Sequence, residues 1–471
     1  MARPATQQSS SSPIIGNQEY ERALHGLRSG TPRAATFPSD GQDHAAVVET
    51  LRHLRANDIG PRATFADRWL NDRGLLLDDG AFEVAKEAYL AFFTKNNSYP
   101  PVMELERNLV TKLLDLFRGE PDSVGCLTSG GSESLFLATA SALAAARKSK
   151  PEITRPEIVI PETGYPTFTK YARYLGYKLH HVAVDKDFRA DPHAMQKTIT
   201  KDTVMMLAST PSWAHGACDP VPELGEIARD RGIWLHVDAC VGGLLAPFVR
   251  DLGRDIPPFD FGVPGVQSIS ADLHKYGYSA KGVSGVFYRS RELARDQSFV
   301  FDNWAAGLYR SPVFTGTRSG GAIASAWSVV QYLGRDGYCR RAAQILKLRD
   351  ALVEFAAECR ELRLLGRAEL STVAIGGNNF DIHAVGSALK ARGWMINFLK
   401  DPQGLQFVLG PLLDEHIECL VSEFRAALDD VRRGRVPENS PPVVYSDEIL
   451  EFPTSSEFDL AGISPHLESL L

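Results

Sequence analysis

The chain has no apolar run approaching the roughly 20 residues that a helix needs to cross a bilayer. Its longest helical apolar stretch, Leu135 to Ala146, is interrupted by Thr139 and Ser141, so no segment is expected to span a membrane. The opening MARPATQQSSSS lacks the basic start and the apolar core of roughly 7 to 15 residues that mark a secretory signal. Cysteine is scarce: Cys126, Cys218, Cys240, Cys339, Cys359 and Cys419 are scattered through 471 residues without paired spacing. They are expected to act as small buried hydrophobes, not as a disulfide framework or zinc ligands, which favours a reducing cytoplasm. Blocks of Lys and Arg are also missing, and 51 basic against 58 acidic residues leave a net charge of −7. Nucleic-acid binding is therefore not expected, because affinity for phosphate backbones comes from clustered cations. There is no internal repeat, and neither nucleotide-binding loop, GxxxxGK[ST] or GxGxxG, occurs in the Gly-rich segment that matters most below.

What is present reads as an ordinary globular chain with a large α/β unit. Residues 1–44 are rich in Ser, Gln, Pro and Gly and are expected to be a disordered tail. Residues 45–118 show helical spacing: a stripe of Val47, Val48, Leu51 and Leu54, then Phe82 to Phe93 and Leu105 to Phe117. From 119 to 325, β-branched runs alternate with helical stretches. Strands are expected at Ile158–Pro161, Leu179–Val184, Val204–Ser209, Ile233–Val237, Ser268–Ala271 and Gly285–Tyr288, and helices at Glu133–Arg147, Thr167–Leu175 and Pro222–Arg231. That alternation predicts a mostly parallel sheet joined by crossover helices. Residues 326–436 read as a smaller C-terminal α+β domain, with a long helix continuing past Gly334, strands at Leu370–Ile375 and Leu405–Leu409, and helices near Ile382–Arg392 and Glu415–Arg432. Residues 437–471 return to a tail composition, in which Ile449, Leu450 and Phe452 could dock on a surface.

Three segments carry chemistry. In Ser270-Ala271-Asp272-Leu273-His274-Lys275-Tyr276-Gly277 a lysine follows a strand, at the sheet edge where open α/β folds bind ligands. Partial desolvation there would free its amine for a Schiff base; a solvated loop lysine is the plain alternative. In Trp234-Leu235-His236-Val237-Asp238-Ala239 a carboxylate ends another strand. It could keep a pyridine ring protonated, or simply cap the turn at Gly242 and Gly243. In Thr128-Ser129-Gly130-Gly131-Ser132-Glu133 a Gly turn opens a helix, which suits a phosphate because free backbone NH groups and the helix dipole meet there. A Ser/Gly cap without a ligand is the alternative. A phosphate cradle, a strand-end Asp and a strand-end Lys together are what one cofactor, pyridoxal 5′-phosphate, requires.

TSGGSES, HVDACVGG and SADLHKYGYSAKG, with STPSWAHGACDPVPEL and DNWAAGLYRSPVFTGTRSGG, make the stretch from Leu105 to Leu333 resemble the group II pyridoxal-phosphate decarboxylase superfamily, and within it the sphingosine-1-phosphate lyases. The resemblance implies a PLP-dependent transferase-like fold (fold type I). It implies Lys275 as the Schiff-base lysine, Asp238 against the pyridine nitrogen, and His274, Ser129, Gly130 and Gly131 at the cofactor phosphate. It also implies a homodimer with shared sites, since the segment holding Gly316 and Thr317 reaches the other subunit's phosphate in the family. Lys281 matches a lysine important for activity, Tyr309 one that lines the substrate channel, and Cys240 and His215 positions near the cofactor. Tyr165 stands where the family places a stacking His; its face can stack, but its hydroxyl cannot shuttle protons near neutral pH. The upstream Asn-Pro-Leu-His segment is replaced by Lys95-Asn96-Asn97-Ser98-Tyr99-Pro100, so Asn96 or Asn97, with Tyr99, is expected at the substrate. Arg318 is expected to be either structural or phosphate-facing.

The implied activity is carbon–carbon cleavage of a phosphorylated long-chain base such as sphingosine 1-phosphate into a fatty aldehyde and phosphoethanolamine, with Lys281 or Tyr165 assisting proton transfer. Amino-acid decarboxylation with the same cofactor is the alternative. A non-catalytic scaffold would have no need for Lys275 and Asp238 in these positions.

Overall fold

The computed structural model describes residues 41–56, 80–394, 396–411 and 414–435. The expected tails lie outside these residues, apart from 41–44, and so does the Ile449 to Phe452 segment. Strands form where β-branched and apolar residues run between Gly, Pro and Asp breaks: β1 Val124–Thr128, β2 Glu157–Pro161, β3 Lys178–Val182, β4 Thr203–Ser209, β5 Trp234–Asp238, β6 Val266–Ala271 and β7 Ser284–Tyr288. They make one seven-stranded sheet in the order β1-β7-β6-β5-β4-β2-β3. Neighbours from β3 through β6 pair in parallel, and β7 runs antiparallel between β6 and β1.

Both faces of this sheet are covered, which explains why the central strands β2, β4, β5, β6 and β7 are buried almost throughout. Successive residues point to opposite faces. Ile158, Ile160, Met205 and Leu207 enter a core packed under the helices Gly131–Ser149 and Thr167–Leu175. Val159, Met206, Leu235, Val237 and Ile269 enter a second core with the helices Pro100–Leu116, Val221–Arg231 and Gly320–Glu358.

A hairpin of β8 Phe299–Phe301 and β9 Tyr309–Ser311 follows the main sheet. The C-terminal part adds an antiparallel sheet, β10 Leu362–Leu364, β11 Thr372–Gly377, β12 Asn397–Lys400 and β13 Gln403–Val408, in the order β10-β11-β13-β12. The helices Ile382–Ala391 and Asp414–Arg432 pack with it. The helix Gly320–Glu358 runs across the expected 325/326 boundary and bends at Gly334, whose φ of 55° lies in the left-handed region. Two helices that meet at this kink therefore lead from the main sheet to the smaller one. Among the described residues no helix is long and apolar enough to cross a membrane.

The six expected strands of the main sheet and the two of the smaller one are all present, each shifted by no more than two residues. β1, β8, β9, β10 and β12 were not foreseen. β1 contains Gly125 and Cys126, β8 to β10 are three residues each, and β12 is four; such short or Gly-containing runs have little β signal of their own.

Candidate active site

The chemistry-bearing segments converge because three strands end at the same edge. β1 ends at Thr128 and leads through Ser129 and Gly130 into the helix that starts at Gly131. β5 ends at Asp238, and β6 ends at Ala271, four residues before Lys275. A cavity of about 310 Å³ at this C-terminal edge is lined by Ser129, Gly130, Gly131, Glu133, Tyr165, Ser209, Trp213, Asp238, Cys240, Asp272, His274 and Lys275. The position is the one expected for ligands of an open α/β sheet.

The Gly turn is locked from behind by buried hydroxyls. Thr128 Oγ1 lies 2.7 Å from Ser134 Oγ, which lies 2.9 Å from Ser284 Oγ, which in turn donates to the Ala271 carbonyl at 3.1 Å. This ties the β1 turn to β6 and β7. A Cβ on Gly131 would stand 2.7 Å from Asp272 Oδ1 and 2.9 Å from Cys240 Sγ, so only glycine lets the turn sit this close to the floor of the cavity.

Lys275 Nζ lies 2.8 Å from Asp272 Oδ2. Burial would raise the Asp272 carboxyl, but the charges of Lys275 and His274 and the hydrogen bond from Lys275 outweigh it and hold it below the ordinary carboxylate range. Asp238 has the opposite balance: burial pushes its carboxyl up, and Lys275 and the Cys240 NH, which donates to Oδ1 at 3.0 Å, only partly offset this. Asp238 thus accepts from the NH two residues on, whereas the NH groups of Gly242 and Gly243, which the plain reading had it cap, donate to the Thr210 and Ala239 carbonyls.

His274 Nδ1 lies 2.7 Å from the Val283 carbonyl, so Nδ1 carries the proton, and Nε2 stands 3.8 Å from Asp272 Oδ2. Burial lowers the His274 pKa, with Asp272 opposing it. Burial likewise holds the Cys240 thiol well above its usual range, so it stays protonated.

Lys275, Asp238, His274, Tyr165, Ser129, Gly130, Gly131 and Cys240 thus share one cavity. Lys281, Asn96, Tyr99, Tyr309, Gly316, Thr317 and His215 do not line it. Lys281 is exposed nearby, its Nζ donating to the His274 carbonyl at 3.4 Å. Asn96 bridges to Ser319, and the Arg318 NH donates to Asn97 Oδ1 at 2.7 Å, strapping residues 96–99 to the 316–319 segment. Tyr99 and Tyr309 are exposed, with the Lys95 amine 4.6 Å from the Tyr99 ring centre and Trp304 edge-on to Tyr309. Gly316 and Thr317 are exposed as well. His215 is buried and stacks on Phe188, centroids 4.0 Å apart.

Arg318 resolves to the structural option: it is buried against Glu106 and donates to the Leu127 carbonyl at 2.8 Å. Two site residues had no role assigned from the sequence. Asp272 stands three residues before Lys275, a spacing that brings side chains together on one turn. Glu133 accepts from the Ser129 NH at 2.6 Å and hydroxyl at 2.7 Å, and through its other oxygen from the Thr315 NH at 3.0 Å. The Ser129 contacts follow an i, i+4 spacing that is readable in the sequence; the Thr315 contact is not.

An amine paired with a carboxylate, a second buried carboxylate and a Gly turn at a helix start suit a cofactor with an aldehyde, a basic ring nitrogen and a phosphate. The pyridoxal-dependent decarboxylase conserved domain matches residues 84–375, more than half of the chain. A sphingosine-1-phosphate lyase of Arabidopsis thaliana is 40% identical over 317 residues, 66% of this chain and 57% of its own length. Sphingosine-1-phosphate lyase 1 of Mus musculus is 37% identical over 379 residues, 79% of this chain and 66% of its own length. The chain thus spans less than two thirds of these curated relatives. Among solved structures, a Burkholderia pseudomallei sphingosine-1-phosphate lyase superposes with a TM-score of 0.80 at 31% identity, covering 87% of this chain and 96% of that one.

Proposed function

We propose that this chain, which belongs to the pyridoxal-dependent decarboxylase family and within it to the sphingosine-1-phosphate lyases, is a carbon–carbon lyase acting on a phosphorylated long-chain 2-amino-3-hydroxy compound. Its fold is the PLP-dependent transferase-like fold (fold type I), and its cofactor is pyridoxal 5′-phosphate. When bound, that cofactor supplies an aldehyde for an amine and a ring that draws electrons from the breaking bond. The observation that carries the reading is the single cavity joining Lys275, Asp238 and the Ser129 to Gly131 turn.

The residues fit the cofactor. At Gly131 a Cβ would strike Asp272 and Cys240, so glycine keeps the turn against the cavity floor, and the turn opens a 19-residue helix whose first NH groups suit a phosphate. Gly130, Gly131 and His274 would hold that phosphate, joined by Ser129 once its NH and hydroxyl leave Glu133, and Tyr165 would offer its ring face. Lys275 supplies the amine, which Asp272 holds at 2.8 Å. Asp238, acceptor-only when ionised, would hold the proton of the ring nitrogen. Of the two candidates for proton transfer, Lys281, beside the His274 carbonyl, is assigned that role, because the Tyr165 hydroxyl stays protonated near neutral pH. Asn96, Tyr99 and Tyr309 are assigned to the substrate entrance.

In the reaction the 3-hydroxyl loses its proton, the bond between the hydroxyl-bearing and amine-bearing carbons breaks, and the amine-bearing carbon gains a proton. The products are a fatty aldehyde and phosphoethanolamine when the substrate is sphingosine 1-phosphate. A homodimer belongs to this reading, supported by the exposed apolar hairpin around Trp304 and Leu308, with Gly316 and Thr317 serving the partner's site. A cytoplasmic setting is supported by six free cysteines.

The test is to load the protein with pyridoxal phosphate, reduce it with borohydride and map the label, then assay aldehyde and carbon dioxide release across phosphorylated long-chain bases and amino acids. A label on Lys275, absent from Lys275→Ala, with aldehyde release supports the lyase. Carbon dioxide as the sole product would replace it with the decarboxylase reading, and a label elsewhere would overturn both.

A further inference from the structure

Behind Asp238 the sheet buries a line of polar side chains that the reaction itself does not touch. Alternate residues of β5, Trp234, His236 and Asp238, share a face, and β6 registers beside them with His236 opposite Ser268 and Asp238 opposite Ser270. The intervening Leu235, Val237 and Ile269 enter the apolar core on the other face. Trp234, His236, Ser268 and Ser270 are all buried, a costly arrangement unless every polar group finds a partner.

The partners run in one direction. Trp234 Nε1 donates to Ser268 Oγ at 2.7 Å. Ser268 Oγ lies 2.8 Å from His236 Nδ1, and His236 Nε2 lies 3.3 Å from Ser270 Oγ. Ser270 Oγ donates to Asp238 Oδ1 at 3.5 Å. The two ends settle the protons between them. An indole NH can only donate and an ionised carboxylate can only accept, so Ser270 spends its hydrogen on Asp238 and receives one from Nε2. Nδ1 of a neutral ring is then the acceptor for the Ser268 hydroxyl. Burial drives the His236 pKa down to about 3, which keeps the ring neutral and this tautomer in place. The Cys240 thiol adds a second donor to Ser270 Oγ at 3.4 Å.

We propose that Trp234, Ser268, His236 and Ser270 are positioning residues, forming a one-way hydrogen-bond chain that holds the Asp238 carboxylate ionised and leaves Oδ2 for a protonated ring nitrogen. The other groups around Asp238 divide: Lys275 and the Cys240 NH support the charge, while Asp272 opposes it. Polarised donors in series strengthen one another in a low-dielectric interior, so the far end of the chain is felt at the carboxylate. The inference rests on the proposed function, because it needs a ring nitrogen at Asp238.

The experiment measures equilibrium affinity for pyridoxal 5′-phosphate and for the analogue in which carbon replaces the ring nitrogen. Both share the aldehyde and the phosphate, so their ratio isolates the contact to Asp238. The intact protein should prefer the natural cofactor, and Asp238→Asn should abolish the preference. Ser270→Ala should cut it about tenfold, the scale of one hydrogen bond to a charged group. Ser268→Ala, at a hydroxyl that meets Trp234 and His236 but not Asp238, should cut it about two- to threefold. Equal weakening of both ligands would reduce the chain to a structural role and overturn the proposal, as would an unchanged ratio in either serine variant. A wild-type protein indifferent to the ring nitrogen, or an Asp238→Asn variant that keeps the preference, would instead sink the reading of Asp238 itself. Should Ser270→Ala fail to fold, Ser268→Ala still decides the matter.

Discussion

Lys275 shows how far a single side chain depends on its neighbours. It is only partly buried, yet its amine meets a carboxylate that is almost completely enclosed. Removing one partner of such a pair leaves the other uncompensated and typically costs about 3 to 5 kcal/mol, so Asp272 belongs to the site as firmly as the lysine. Gly131 is the complementary case, important for the atom it lacks. Gly131→Ala should drive its methyl into Asp272 and Cys240, lower stability by about 1 to 3 kcal/mol and weaken cofactor affinity at least about tenfold. Urea unfolding and a cofactor titration check this; unchanged affinity would mean that the cradle lies elsewhere. At this scale Lys275, Asp238 and the Gly turn were legible because each residue type has few reasons to stand at a strand end or helix start. Asp272 and Glu133 stood in the same motifs but had no assigned role, because a carboxylate on a turn has many uses until its partner is known.

Among the elements, the parallel strands were readable because short β-branched runs recur between helical stretches, and the helices because their spacing is regular. The β8–β9 hairpin was not, since each strand has three residues and the segment's identity lay in its motif instead of its periodicity. Its surface is unusual: Trp304 is 53%, Leu308 68% and, just beyond it, Phe314 75% exposed. Large apolar side chains clustered this way mark an interaction surface, which the proposed homodimer would cover. Converting Trp304 and Leu308 together to Glu should weaken the dimer at least about a hundredfold and cofactor affinity with it, because Gly316 and Thr317 would no longer reach the neighbouring site. Sedimentation equilibrium across micromolar concentrations reads the result; a dimer that persists unchanged would place the interface elsewhere. The same segment shows why Arg318 could not be assigned from its motif. Its guanidinium turns inward to Glu106, a partner over two hundred residues away.

For the molecule as a whole, buried histidines make stability depend on pH. Burial lowers His215 to about 4 and His236 to about 3, while an unfolded chain titrates near 6.5. Both groups stabilise the fold fully above about 6.5. That contribution is lost as pH falls toward the folded values, because the unfolded chain takes up protons that the folded one refuses. Asp219 acts with the opposite sign: burial raises it to about 7, so it favours the fold as pH falls from about 7 toward 4 and offsets one histidine. Between pH 7 and 5 the intact protein should therefore lose stability, and His215→Gln should lose about 1 to 2 kcal/mol less. Denaturant unfolding at the two pH values tests it; parallel losses would mean that His215 is protonated in the folded state.

The amino-acid order alone determined the α/β architecture and the strand-end or helix-start places of the Gly turn, Asp238 and Lys275, since these depend on spacing within a few residues and on side-chain chemistry. Only the tertiary structure decided that Glu133 would reach Thr315 as well as Ser129, that Arg318 would meet Glu106, and that Trp234, His236, Ser268 and Ser270 would line up behind Asp238. Contacts between distant segments are set by strand register and by which faces the sheet buries, and a shift of one residue along β5 or β6 would turn the polar side chains of that strand to the opposite face.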